Sequence, residues 1–328
     1  MTTANTRDTF VLFNEQIRTG MWEALDTNVN GFNAASAGAI TLRSDSVTGT
    51  YARRAFFDRL SDDAFVRRNP SSNSDVDSID LTMDEFVAIN LARRIGPIDK
   101  TLESWRAMGS DPGELSIVVG RQIGELKAKK MLNTALIGLR ASLTAQVSLT
   151  HDITGLSTDT LNTRDLAKGQ FKLGDAFSNI VAWAMHSTAY AGLTDSQIAD
   201  KMDSVAGVIV YGGSPATFGK PVIVTDSSAL VDELTAGNIY YTLGLTAGAA
   251  DIVDSNQSDI VSSIVDGKEN LTGRVQGEST LQLGIKGCAW DVTNGGVNPT
   301  DATLATTAYW LKKVASVKNM GGVVIKHN

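Results

Sequence analysis

Asp111-Pro112-Gly113-Glu114-Leu115-Ser116-Ile117-Val118-Val119-Gly120-Arg121-Gln122-Ile123-Gly124-Glu125-Leu126-Lys127-Ala128-Lys129-Lys130-Met131-Leu132, continuing to about Arg140, reads as one long helix. Asp111 suits the N-cap, Pro112 the first helical position and Glu114 the first turn. From Pro112 to Arg140 such a helix is about 43 Å long at ~1.5 Å per residue. Leu115, Val119, Ile123, Leu126 and Ile137 fall on one side. Glu114, Arg121, Glu125, Lys129 and Arg140 fall nearly opposite. Gly113, Gly120, Gly124 and Gly138 share a third line, although each interior glycine costs about 1 kcal/mol of helix propensity. That line predicts a closely packed backbone neighbour, with the adjoining sheet as the expected one. The competing explanation is composition alone, since the chain has 30 glycines.

The whole chain can bury a large core: it has 328 residues, 42% hydrophobic and 20% charged. A net charge of −7 gives no overall basic field for nucleic acid. The single cysteine, Cys288, excludes an internal disulfide and reads as a core residue. No apolar run approaches the ~20 residues of a membrane span. The first residues, MTTANTRDTF, lack the apolar centre of a signal peptide, which points to a cytosolic origin.

Before the long helix, Phe10, Phe13, Ile17, Met21 and Leu25 recur at helical steps, predicting a short amphipathic helix or an arm on a partner. Tyr51–Phe57 reads as a strand. Ile79–Ile95 alternates as a strand, with a helix as the alternative because Thr82 and Glu85 form a capping box. The polar turn Arg67–Asp75 between them predicts a two-stranded arm. Every cation before Lys100 is arginine. Arg43, Arg53, Arg54, Arg59, Arg67 and Arg68 gather there, among Asp45, Asp58, Asp62 and Asp63. A ribbon of this kind needs a neighbour to lie on, so these arginines read as inter-subunit contacts rather than a solvated surface.

After the long helix, the spacing of Leu173, Phe177, Ile180, Val181, Ala184 and Met185 predicts a helix over Lys172–Tyr190, ending at a packing or capping His186. Val205–Tyr211 and Pro221–Thr225 read as buried strands, Tyr240–Leu245 and Leu281–Val292 as further strands, and Ser258–Val265 as a short helix. Asn298-Pro299-Thr300 opens an apolar-periodic run to Lys313, and Gly322–Ile325 is a terminal strand. Catalytic signatures are missing: no G-x-G, no P-loop, no G-x-S-x-G and no H-E-x-x-H. Asp251, Asp254 and Asp259 lack calcium-loop spacing and read as a solvated loop.

The order of these parts resembles the tailed-bacteriophage major capsid proteins with the Hong-Kong-97-type fold. Ala184-Met185-His186-Ser187 with Leu193 is similar to that family's helix closing in a Met-His pair. Phe218-Gly219-Lys220-Pro221-Val222-Ile223-Val224-Thr225-Asp226 is similar to its G-x-P-V-x-V strand, and Trp310–Ile325 to its last strands. The resemblance implies an α+β fold with an N-terminal arm and lead-in at 1–46, an E-loop at 47–95, and a spine helix at 112–140. The P domain would take 96–167 and 267–300, and the A domain 168–266 and 301–328.

The function it implies is a shell protein without catalytic, cofactor or metal residues. Hexamers and pentamers of it would form an icosahedral head around double-stranded DNA, held only by non-specific proximity. The implied location is the virion, assembled in the host cytoplasm. Partners would be a portal, a separate scaffolding protein and, in some heads, a decoration protein; no membrane is involved. The chain departs from members that crosslink an E-loop lysine to a neighbour's asparagine, because nothing before Lys100 is lysine. It also carries only about 30 residues before the arm, where some members hold a long scaffolding segment, so separate scaffold or earlier processing is implied. An encapsulin-type compartment shell and a two-domain enzyme with an unrecognised site are the rival readings.

Overall fold

The computed structural model describes residues 6–47, 49–57, 65, 67–76, 78, 83–104, 112–155, 160–200, 217–235, 237–255, 259–267 and 269–328. Asp111, Arg59 and the expected strand Val205–Tyr211 lie outside the described residues. In chain order come α1 (Thr6–Ala35), β1 (Ile40–Asp45), β2 (Tyr51–Phe57), β3 (Met83–Thr101), α2 (Pro112–Thr144), β4 (Thr150–Asp152), α3 (Thr163–Gln170), β5 (Ile180–Met185) and α4 (Ser187–Asp200). Then follow β6 (Val222–Val224), β7 (Val231–Asp232), β8 (Ile239–Thr246), β9 (Ala250–Ser255), β10 (Asp259–Val265), β11 (Thr272–Ile285) and β12 (Cys288–Trp290). The chain closes with α5 (Val292–Gly295), α6 (Asp301–Leu304), β13 (Trp310–Lys312) and β14 (Gly322–His327).

The long helix α2 begins at Pro112 and runs 33 residues. Its C-terminal half is the axis of the core. Met131, Ala135, Leu136, Leu139 and Leu143 join one buried cluster with Ile40, Leu42, Ile89, Leu91, Ile252, Leu281 and Leu283 of the first sheet. The same cluster takes in Ile180, Ala182, Ala184, Leu243, Leu245 and Val324 of the second. The first sheet has the order β1–β9–β11–β3–β2, with β10 also on β11. The second has β4–β14–β8–β5–β6, with β7 on β8, and β12 pairs with β13.

The glycine line on α2 finds two different neighbours. A Cβ added at Gly120 would stand 2.3 Å from the Ile17 carbonyl oxygen, and one at Gly124 would stand 2.6 Å from that of Met21. Gly20 on α1 meets the Ile117 carbonyl oxygen at 2.7 Å in return. The neighbour along this stretch is therefore the N-terminal helix, not the expected sheet, and α1 is a 30-residue helix rather than a short one. Gly138 faces the sheet, against Leu283 and Ile285, with Trp310 alongside. Backbone contact at this range excludes any side chain.

This contact predicts opposite signs for one substitution at two sites. Gly31, also inside α1, has nothing within 4 Å of its would-be Cβ. Gly31→Ala should raise stability by roughly 0.5–1 kcal/mol through helix propensity. Gly120→Ala should lower it by about 1–3 kcal/mol, because overpacking against rigid backbone exceeds that gain. Urea unfolding of both variants checks this; equal signs would refute the close contact.

Three sequence expectations change. Lys172–Tyr190 is not one helix. Phe171–Asn179 is a 3-10 segment whose Gly174 takes φ 62°, outside helical geometry, and Ile180–Met185 is strand β5. Ala182 and Ala184 face the main core, while Trp183 and Met185 pack with Leu166 and Leu193 on the other side of the sheet. A strand buried on both faces has a continuous apolar run, which carries no strand period. The Met185-His186 pair thus ends a strand. Residues 259–265 form strand β10, paired with β11 throughout, not a helix. The Pro221–Thr225 strand is only β6, parallel to β5 and half-exposed.

Candidate inter-subunit surface

Strand β3 is 19 residues long, about 60 Å at ~3.3 Å per residue. From Ile89 onward it pairs with β11; from Met83 to Ile89 it pairs with β2, in the register Tyr51↔Ile89 to Phe57↔Met83. Residues 83–88 have β2 as their described ladder partner, with β12 packed alongside β3. This ladder settles the strand reading over the helical alternative.

Such a ribbon is marginal by itself, and three contacts brace it. Phe56 and Phe86 stack with ring centroids 4.2 Å apart. Asn90 donates from Nδ2 to the Gly49 carbonyl at 2.8 Å and accepts from Gln282 Nε2 at 2.9 Å, tying the arm's base to β11. Lys313 Nζ lies 2.8 Å from Asp84 Oδ1; its hydrogen bond holds that carboxyl below the usual carboxylate range, against the upward push of burial.

The arginines separate by role. Arg53 pairs with Glu85 across the ribbon at 3.2 Å. Arg43 is not an arm residue: it clamps Asp251 through two bonds of 3.0 and 2.6 Å, fastening β1 to β9. Arg54, Arg67 and Arg68 are exposed and make no ion pair with a described residue. Beside them on the arm, Phe65 is 97% and Val76 90% exposed.

Two charged groups escaped the sequence reading. Arg140 is not on a solvent face. It lies 3.8 Å from the centre of the Tyr241 ring, donates to the Ala229 carbonyl and pairs with Asp232. Burial pushes the Asp232 carboxyl up, but bonds from Arg140 and Tyr241 outweigh it and hold the group below its ordinary value. Asp254 is not in a solvated loop. It sits on β9, 1% exposed, 2.7 Å from Nζ of Lys127, itself 5% exposed. Trp22 of α1 covers that ammonium at 5.4 Å. Burial lowers the Lys127 pKa and raises that of Asp254, each against the partner's attraction. No local signal marks this pair, because α2 and β9 are far apart in sequence.

The histidines are structural. His186 opens α4, its Nδ1 accepting from the Thr188 N–H at 3.2 Å, so it caps a helix start. His151 faces Asp165 at 3.7 Å. His327 is buried on β14. Cys288 is buried and its thiol is pushed up to about 12, which leaves it inert. Among the described residues no three His, Cys, Asp or Glu side chains are grouped to hold a metal, and no helix is long and apolar enough to cross a membrane.

The arm, spine helix and paired sheets have known counterparts. The family model "Major capsid protein 13-like" matches residues 9–324. The chain belongs to this family. As a phage major capsid protein it is a structural component of the virion shell. Its fold is the Hong-Kong-97-type fold. The capsid of Ralstonia phage GP4 matches with TM-score 0.52 at 10% identity, over 90% of this chain and 88% of that one. A structure from Microbacterium phage Oxtober96 matches with TM-score 0.55 at 11% identity, over 89% and 90%. The capsid asymmetric unit of Cyanophage Pam1 matches with TM-score 0.53 at 10% identity, over 88% of each. No curated protein matches. At these identities the likeness is one of fold, and the capsid side chains just described are this chain's own.

Proposed function

We propose that this capsid protein assembles as hexamers and pentamers into an icosahedral head around double-stranded DNA, and that its arm fastens neighbouring subunits. The observation that carries this is the arm itself. Strands β2 and β3 pair there, and Arg54 on β2 and Arg67 and Arg68 in the segment that follows are exposed, with no described ion-pair partner. Guanidinium groups in such a place suit carboxylates of an adjoining copy, and the chain has an excess of acids, with a net charge of −7. The same negative balance lets packed DNA slide along the wall instead of sticking.

In this reading 47–95 is the E-loop and α2 is the spine. The first sheet belongs to the P domain and the second to the A domain that gathers at symmetry axes. The protein has no catalytic role. A portal and a separate scaffold complete assembly, and a decoration protein is compatible with the exposed arm.

The triple variant Arg54→Glu/Arg67→Glu/Arg68→Glu tests the arm. Charge reversal at an interface rim should raise the concentration needed for rings or shells roughly tenfold or more at low salt. Sedimentation and negative-stain images report assembly, and circular dichroism reports folding. A folded variant that assembles at the wild-type concentration would remove the arm arginines from the interface.

A further inference from the structure

The second sheet runs β4–β14–β8–β5–β6, so β4 and β6 are its two edges, about 19 Å apart at ~4.8 Å per strand. An aromatic knob stands beside β4. The 3-10 segment Phe171–Asn179 follows α3, which packs on β4 and β14, and it touches Val147–Leu149, the turn that leads into β4. Leu173 joins the main core, and the chain bends at Gly174, where φ is 62°. Phe171 and Phe177 meet on the outside, ring centroids 5.2 Å apart. Phe171 is 62% exposed and Val147 84%. Lys172, between the rings in sequence, is exposed and makes no ion pair with a described residue, whereas Lys168 and Lys318 are taken by Asp165 and Asp175.

The other edge has the matching character. Among the described strands β6 pairs with β5 alone. Phe218 and Val224 are exposed there, and the side chain of Asp226 is 78% exposed, with His186 at 3.9 Å as its described ion-pair partner. Single apolar side chains on a surface are ordinary, but an aromatic pair with a free cation at one edge complements an apolar strip with an exposed carboxylate at the other. The two patches are different surfaces, so they do not meet each other about a two-fold axis. A head-to-tail contact between unlike patches at opposite edges repeats from copy to copy and closes into a ring.

We propose that the Phe171–Phe177 knob of one copy seats on the β6 edge of the next, over Phe218 and Val224, with Lys172 reaching Asp226. The occupant of each patch is thus a second copy of this chain. This rests on the reading of the protein as a ring-forming shell subunit, and it names the two halves of the contact within the ring. The aromatic pair supplies the apolar centre, and the lysine–aspartate pair at its rim fixes which edge meets which.

Sedimentation velocity on variants of the full-length chain tests this, with circular dichroism as the check on folding. Phe171→Asp/Phe177→Asp spoils the knob, and Phe218→Asp/Val224→Asp spoils the β6 edge. Each alone should need roughly tenfold more protein to form rings. Mixed in equal amounts, where each alone is monomeric, they should form dimers and stop there. One sound contact survives between unlike variants, and both outer ends of that dimer are spoiled. Lys172→Glu and Asp226→Lys should each raise the ring-forming concentration roughly threefold or more, and the two together in one chain should restore it. This charge swap decides the matter if an aspartate variant fails to fold. The proposal is overturned if either folded variant forms rings at the wild-type concentration, if the mixture stays monomeric, or if the swapped chain is no better than its single parents. Normal rings from the variants would leave the shell reading standing and move the contact elsewhere; a wild-type chain that never forms rings overturns both.

Discussion

Asp254→Ala is expected to cost the fold about 3–5 kcal/mol, because it leaves the Lys127 ammonium buried without its counter-charge. Lys127→Ala should cost a similar amount by stranding the carboxylate. The double variant Lys127→Met/Asp254→Leu should be neutral or more stable than the wild type. Both partners are almost fully buried, at 5% and 1% exposure, and burial displaces each toward its neutral form. The charges therefore recover less from each other than they lose in leaving water, while apolar side chains of similar volume pay no such desolvation. Urea unfolding of the unassembled chain gives all three values in one cycle. Single variants that lose under 1 kcal/mol would show that water reaches the pair in the folded state.

The second large effect is a loss of stability in mild acid that traces to one side chain. His327 is buried on β14 opposite Tyr240 of β8, its Nε2 3.1 Å from Thr242 Oγ1 and its ring stacked 5.9 Å from that of Tyr240. Burial lowers its pKa from 6.5 to about 4, against smaller upward pulls from the Asn328 carbonyl and Asp165. The sign follows from linkage. The unfolded chain takes the proton near pH 6.5, whereas the folded chain takes it only near pH 4. Stability is thus fully present above about pH 6.5 and is lost as the pH falls toward 4. A shift of this size corresponds to about 3 kcal/mol, at ~1.36 kcal/mol per pKa unit. His327→Gln, neutral throughout, should flatten the slope of stability between pH 4.5 and 6 by about one proton. Carboxylates such as Asp152 and Asp84, whose pKa values are lowered in the fold, titrate lower and contribute equally to both proteins. An unchanged slope in the variant would assign the acid loss elsewhere.

Much of the framework was legible from local pattern. The helix at Pro112 announced itself through cap, proline and periodicity. Strand β3 followed from the alternation over 79–95, of which 83–95 are described, and β8 and β14 from short apolar runs. Each of these segments has environments that repeat along a single element, and a period in the sequence reports such a repeat. Where the environment does not repeat, the pattern misleads: Ile180–Met185 is apolar throughout because both faces of β5 are covered, and its helical look came from composition. The candidate surface was legible only as a set of arginines. The sequence could not separate Arg43, committed to Asp251, from Arg54, which has no such tie, because that depends on which strand lies alongside.

The amino-acid sequence alone determined a long helix opening at Pro112, a glycine line along it, an arginine-bearing pair of strands and the order of parts that marks the capsid family. Tertiary structure alone decided what those features face. The glycines at 120 and 124 meet α1 instead of a sheet, and Asp254 is buried against Lys127, whose ammonium lies over the Trp22 ring. The physical reason is the same in each case. Local periodicity records that a face is buried, since burial constrains the side chains on that face. It holds no record of the partner, because hydrophobic burial is non-directional and any apolar surface of suitable shape satisfies it equally.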